Sequence, residues 1–170
     1  MRHAVVTGGT RGIGRTIADR LATEGWNVLT LARHPAESPH RFLACDVADA
    51  ARVRAVFAGL HQVDALVNCA GIAGVNYLEG DDRLWHAIID SNLHGTYHCC
   101  KAALPLLPDG TGRIVNIASV LGLRGVPDQT AYCAAKHAVV GFTRALALAV
   151  ARRGITGHAL PIDGGGLALP

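Results

Sequence analysis

The sequence predicts an α/β fold: a doubly wound parallel sheet with helices on both faces, three layers in all, in a single domain over residues 1–170. Apolar runs of four to six residues recur along the chain, each followed by glycine or asparagine and then by a stretch of helical period. These runs are apolar throughout rather than alternating, as in parallel strands covered on both faces. The composition agrees: 20 glycines and 5% aromatics suit many tight turns and aliphatic strands. At 170 residues and 50% hydrophobic, the chain can bury one core and is too short for two ordinary domains.

Taken in order, the first strand is His3–Thr7, which runs into a glycine turn, and a helix follows over about Gly12–Glu24. Strands at Asn27–Ala32 and Arg41–Cys45 precede a helix at about Ala48–Leu60, and Ala65–Asn68 is the next strand. A long helical period over Asp81–Leu107 is disturbed near Pro105. The strand Arg113–Ile117, the helix Thr130–Arg153 and the strand His158–Ile162 complete the alternation.

A formal charge of +3 from 16 basic and 13 acidic residues forms no basic block, so nothing supports nucleic acid as a partner. The five cysteines, Cys45, Cys69, Cys99, Cys100 and Cys133, fit no CxxC pattern and read as buried free thiols in a reducing cytoplasm. MRHAVVTGG enters a short apolar run directly, without the pattern of a secretion signal. The apolar stretch Ala145–Ala151, between Arg144 and Arg152, falls far short of the roughly 20 residues of a membrane span, so no membrane partner is expected.

Between the first strand and first helix lies Thr7-Gly8-Gly9-Thr10-Arg11-Gly12-Ile13-Gly14. Glycines at such a turn let backbone N–H groups approach a pyrophosphate, and the helix that starts there presents its positive dipole end to the same anion. A glycine-rich structural turn is the competing reading of this motif alone. An acid at the end of the second strand would grip the ribose hydroxyls of NAD and repel the 2′-phosphate of NADP. Instead that strand closes with Leu31-Ala32-Arg33, and the glycine turn carries Arg11. Two guanidiniums near one phosphate favour NADP(H), with NAD(H) as the alternative. Arg33 by itself reads nearly as well as a solvent-facing strand end.

Tyr132-Cys133-Ala134-Ala135-Lys136 places a phenol and an ammonium four residues apart, on one face of a helix. The chain has three tyrosines, and its lysines are Lys101 and Lys136. A chance YxxxK in such a chain has a probability of roughly a few per cent. Tyrosine ionises near pH 10 and is a poor base unaided. At about 5 Å and an effective dielectric of about 20, the Lys136 charge would stabilise the phenolate by about 3 kcal/mol, roughly two pKa units. Tyr132 would then donate a proton to a carbonyl oxygen in reduction and remove an alcohol proton in oxidation.

Ser119 follows the strand Arg113–Ile117, where a side chain can face the ligand crevice, although serine there is ordinarily a turn or cap residue. Asn92 stands mid-helix, where asparagine is a weak helix former, and reads equally well as a solvent-facing residue. His94 and His98 lie one turn apart beside Cys99 and Cys100, but no carboxylate or third ligand is placed with them, and no metal is assigned.

Thr7, Gly8, Gly12 and Gly14 spell TGxxxGxG, and with Tyr132/Lys136 the chain resembles the short-chain dehydrogenase/reductase family over residues 1 to about 156. Asp46-Val47 is similar to the family's adenine-contacting pair, although an Asp after a strand is locally a helix cap. Asn68-Cys69-Ala70-Gly71 is similar to its NNAG segment, with cysteine for the second asparagine. Ser119, thirteen residues before Tyr132, and Asn92 fall at the family's other catalytic places; the asparagine there holds a water next to the lysine. The resemblance implies a Rossmann-like fold and catalysis by Asn92, Ser119, Tyr132 and Lys136. It implies a cofactor held by Thr7, Gly8, Arg11, Gly12, Ile13, Gly14, Arg33, Asp46, Val47, Asn68, Ala70, Gly71, Tyr132 and Lys136. The expected substrate is a small-molecule ketone or secondary alcohol, with 3-oxoacyl thioesters and polyketide-like carbonyls in range, and the expected assembly is a homo-oligomer, a tetramer or dimer. The alternative is a catalytically impaired nucleotide-binding or assembly subunit of the same fold.

The chain departs from the family after the Tyr-Lys helix, where members continue into a sixth strand, a Pro-Gly turn, a nicotinamide-contacting Thr and a substrate-covering loop. Here Gly154-Ile155-Thr156 passes into Gly157-His158-Ala159-Leu160-Pro161-Ile162-Asp163-Gly164-Gly165, which resembles the family's last strand and its DGG ending. The domain reads as C-terminally abbreviated, about 60 residues short of an ordinary one of this type. An internal deletion, a minimal variant covered by a neighbouring subunit and a sequence stripped of a mobile lid all fit. Under a real deletion the last strand loses its partner, and the sheet edge must pair elsewhere.

Overall fold

The computed structural model describes residues 1–162. Six parallel strands form one sheet: β1 His3–Thr7, β2 Asn27–Ala32, β3 Arg41–Ala44, β4 Ala65–Asn68, β5 Arg113–Ile117 and β6 Thr156–Leu160. Their order is β3-β2-β1-β4-β5-β6. The connecting helices are α1 Gly12–Thr23, α2 Ala50–Ala58, α3 Asp82–Ile89, α4 Gly95–Ala103 and α5 Thr130–Val150. Since β1 pairs with β2 on one side and β4 on the other, the winding reverses between β1 and β4. Loops leaving those strands diverge, which opens a crevice at their carboxyl ends.

Alternate residues of the central strands bury on opposite faces, as strand geometry requires. Val5, Leu66 and Ile114 pack with Val53, Phe57, Cys99 and Val150 from α2, α4 and α5. On the other face, Val6 and Val67 meet Ala18 of α1. The doubly wound three-layer architecture is therefore the one the apolar runs imply. Asp49 starts α2 by accepting from the N–H groups of Ala51 and Arg52, and Asp81 starts α3 by accepting from Arg83. Helix α5 with its final turn, Thr130–Arg153, is long and apolar enough to cross a membrane by length and composition. Here it lies against β6, with Lys136 buried on its inner side.

Three expectations are corrected. The helical period over Asp81–Leu107 is not one helix but α3, a π turn at Asp90–His94, α4 and a 3-10 turn at Leu104–Leu106. Pro105 sits in the 3-10 turn, while the larger break falls at Asn92, a site that proline rules do not mark. The final strand begins at Thr156, two residues earlier than expected. That strand does not lack a partner: Thr156–Leu160 pairs in parallel with all five residues of β5, Arg113–Ile117. A right-handed crossover through α5 naturally delivers the next strand beside β5, whose hydrogen-bonding groups need a neighbour. The DGG ending at Asp163-Gly164-Gly165 lies outside the described residues.

Leu66, fully buried at the centre of β4, tests this core. Leu66→Ala is expected to destabilise the fold by about 2–5 kcal/mol in a urea titration followed by circular dichroism.

Candidate active site

The glycine turn is shaped by close approach. Gly8 has φ +67°, and a Cβ there would lie 2.9 Å from the backbone of Ala70, at the end of β4. At Gly14 a Cβ would collide with the Gly8 carbonyl oxygen, so α1 can begin against the turn only with glycine. Thr7, beneath the turn, has a hydroxyl that accepts from Cys69 N–H at 3.1 Å and Ala70 N–H at 3.0 Å. The loops after β1 and β4 are thereby held together across the reversal point.

A cleft of about 530 Å³ opens above this turn, within the usual range of ligand sites. Gly8, Arg11, Gly12, Ile13 and Gly14 line it from the first turn, Arg33 from the end of β2, Asp46 and Val47 from the end of β3, and Ala70 and Gly71 from the end of β4. Asp46 does not cap α2, which Asp49 does; its carboxylate accepts from Ala48 N–H and borders the cleft. Arg11 and Arg33 are both exposed there. These residues fit a dinucleotide: a cradle that a Cβ would fill, an open helix N-terminus and two guanidiniums. Four residues expected among the cofactor contacts do not line the cleft: Thr7 and Asn68, whose side chains are buried beneath it, and Tyr132 and Lys136.

The chemical end of the site is built by β5 and α5. Lys136 is 6% exposed, and its Nζ donates to the Ile117 carbonyl oxygen at 2.7 Å. That Nζ lies 5.6 Å from the centre of the Tyr132 ring. Ser119 is buried, caps the 3-10 turn at Val120–Gly122 by accepting from Leu121 N–H at 3.2 Å, and stands beside the Tyr132 phenol. Cys69, on the cleft wall, lies close enough for its charge state to act on Tyr132 and Lys136.

Here the electrostatic expectation is corrected. Burial pushes the Tyr132 phenol above its usual value, and the Ser119 hydroxyl opposes that shift; no lowering by Lys136 emerges. The same desolvation acts on Lys136, pushing its ammonium down to about 8. Tyr132 is thus a phenol at neutral pH, a proton donor rather than a ready base.

Asn92 is 1% exposed, which removes the solvent-facing reading. Its Nδ2 donates to Ile72 O at 2.7 Å and Ile88 O at 2.9 Å, while Oδ1 has no partner among the described residues. The Asn92 carbonyl oxygen accepts from the Thr96 hydroxyl, four residues on, at 2.7 Å. His94 does meet a carboxylate, Asp90 at 2.8 Å, whereas His98 turns to Val47 O. Among the described residues no three metal-binding side chains gather.

A sequence model of the short chain dehydrogenase family matches residues 2–161. The chain belongs to the short chain dehydrogenase family. It is 40% identical to a 3beta-hydroxysteroid dehydrogenase of Mediterraneibacter gnavus over 92% of its length and 63% of the relative's. A 3-oxoacyl-(acyl-carrier-protein) reductase, FabG, of Haemophilus influenzae is 41% identical over 90% of this chain and 69% of its own. The ligand-free aldohexose dehydrogenase of Thermoplasma acidophilum superimposes with a TM-score of 0.90 at 34% identity, covering 95% of this chain and 66% of that one. The chain therefore spans about two thirds of the length of these short chain dehydrogenases.

Sequence reasoning missed several residues of the site. Thr10, His34 and Ser91 also line the cleft. Beneath it, Asn68 Nδ2 donates to Asn116 Oδ1 at 2.8 Å, and Asn116 Nδ2 donates to Thr143 Oγ1 at 2.8 Å, tying β4, β5 and α5 together. An asparagine inside the apolar strand Arg113–Ile117 was the available signal. Gly14→Ala is expected to keep the fold by circular dichroism. It should raise the NADPH dissociation constant, read by fluorescence titration, at least about tenfold, equivalent to about 1.4 kcal/mol.

Proposed function

We propose that the chain is an NADPH-dependent oxidoreductase that moves hydride between the nicotinamide and a small ketone or secondary alcohol, 3-oxoacyl thioesters and polyketide-like carbonyls included. The observation that carries this reading is the meeting of Tyr132, Ser119 and Lys136 beside a cleft that fits a dinucleotide. When bound, the cofactor supplies the hydride. Ser119 orients the substrate oxygen towards the Tyr132 phenol. That phenol, kept protonated by burial, donates its proton to the oxygen in reduction. Lys136 sets a positive charge beside the phenolate so formed. Oxidation requires the phenol to lose its proton first, which its raised pKa makes the harder direction.

The cofactor is held by the glycine turn, by Asp46-Val47 and by Ala70-Gly71, with Arg11 and Arg33 on the 2′-phosphate. The segment after β2 that lines the cleft, Ala32-Arg33-His34-Pro35-Ala36, contains no acid, which supports NADP(H) over NAD(H). Exposed Gly141, Ala145 and Leu148 on α5 support self-association into a homo-oligomer. The free thiols support a reducing cytoplasm. The second reading is a nucleotide-binding or assembly subunit of the same fold without turnover.

Steady-state oxidation of NADPH against a panel of ketones separates the two readings. Tyr132→Phe is expected to lower kcat by about 10²–10⁴-fold while NADPH still binds. Arg33→Ala should weaken NADP(H) and leave NAD(H) unchanged. Wild-type binding without turnover favours the subunit, and tighter NAD than NADP binding overturns the cofactor assignment.

A further inference from the structure

Helix α5 begins without a cap of its own, since the Gln129 side chain makes no hydrogen bond to the first turn. Such N–H groups need acceptors. Asn76, on the loop that follows β4, supplies them from more than fifty residues away. Its Oδ1 accepts from Ala131 N–H at 3.1 Å, and its carbonyl oxygen accepts from Thr130 N–H at 3.3 Å. The Thr130 hydroxyl donates to Oδ1 at 2.6 Å and lies 3.1 Å from the carbonyl oxygen. The Asn76 N–H in turn donates to Asp128 O at 2.8 Å, and residue 76 forms a parallel bridge with Gln129. Asn76 is 6% exposed and Ala131 fully buried, so water is kept from replacing these bonds.

Tyr132 is the third residue of α5, so its place beside Ser119 follows from where the helix starts. Lys136, one turn later, has a separate anchor in the Ile117 carbonyl. The loop that carries Asn76 leaves the cleft wall at Cys69-Ala70-Gly71. One side chain thus joins the edge of the cofactor cleft to the turn that bears the phenol. We infer that Asn76 is a positioning residue: it starts α5 by capping it from outside and so sets the phenol of Tyr132 beside Ser119. This rests on the reading of Tyr132 as the proton donor.

Asn76→Ala removes the acceptor for Ala131, whereas Asn76→Asp keeps it and adds a negative charge that a helix N-terminus favours. Three quantities decide: amide hydrogen exchange of peptides spanning residues 130–136, the NADPH dissociation constant, and kcat with KM for a ketone substrate. For Asn76→Ala the expected result is faster exchange confined to the first turn of α5 and kcat lower by about tenfold or more. NADPH affinity should stay within about twofold, and Asn76→Asp should restore both exchange and kcat. Wild-type exchange and kcat in Asn76→Ala overturn the inference. So does joint loss of kcat, NADPH affinity and thermal stability that Asn76→Asp fails to repair, which marks a general structural role. If Asn76→Ala does not fold, Asn76→Ser, whose shorter side chain leaves the acceptor out of reach, carries the same comparison. A wild-type chain that binds NADPH and reduces no ketone defeats the reading of function, and exchange in the first turn then decides on Asn76 alone.

Discussion

The site depends on one ammonium held out of water: Lys136, nearly buried, with its Nζ on the Ile117 carbonyl at the end of β5. A charge in that position costs desolvation energy, and the carbonyl compensates only part of it, which is why its pKa falls to about 8. The same dry surroundings raise the Tyr132 phenol. Desolvation thereby drives the two groups apart in proton affinity, the phenol upward and the ammonium down to about 8, and the Ser119 hydroxyl stands beside the phenol. At neutral pH both groups keep their protons, which leaves the Tyr132 phenol as the donor and the Lys136 ammonium as the charge beside it.

The fold supplies the dryness. Reversal of winding between β1 and β4 opens the crevice, and Thr7 and the Asn68–Asn116–Thr143 chain brace its floor from beneath. The Thr7 hydroxyl and the Nδ2 groups of Asn68 and Asn116 each find a partner on another element, which ties β4, β5 and α5 together. The glycine turn sits on this floor because Gly8 and Gly14 let two backbones meet where any side chain would intervene.

Local features were legible in the sequence. The TGxxxGxG turn and the Tyr132/Lys136 spacing each lie within eight residues, and helix geometry converts that spacing directly into a shared face. All six strands were legible from apolar runs, four of them to the residue and the last displaced by two. What escaped depends on contacts distant in sequence. The sign of the Tyr132 shift is set by burial, which no spacing encodes. Asn92 was ambiguous because a π turn, not proline, breaks its helix, and its burial appears only when Ile72 and Ile88 close around it. Asn76 gave no signal, since it caps a helix that starts far along the chain. Loss of a partner for the last strand was expected only under a real deletion; β5 instead pairs with the first strand delivered to it.

The most direct test is the proton affinity of Lys136 itself. Lys101 and Lys136 are the chain's lysines, so the carbon-13 resonance at Cε in a lysine-labelled Lys101→Arg variant belongs to Lys136. Followed by NMR against pH in the folded protein, it should titrate with a midpoint of about 8, the ammonium persisting below that pH and being lost above it. A midpoint near about 10.4, the value of a solvated lysine, would contradict the account, because the group would then be hydrated and the phenol beside it would not be in a dry site.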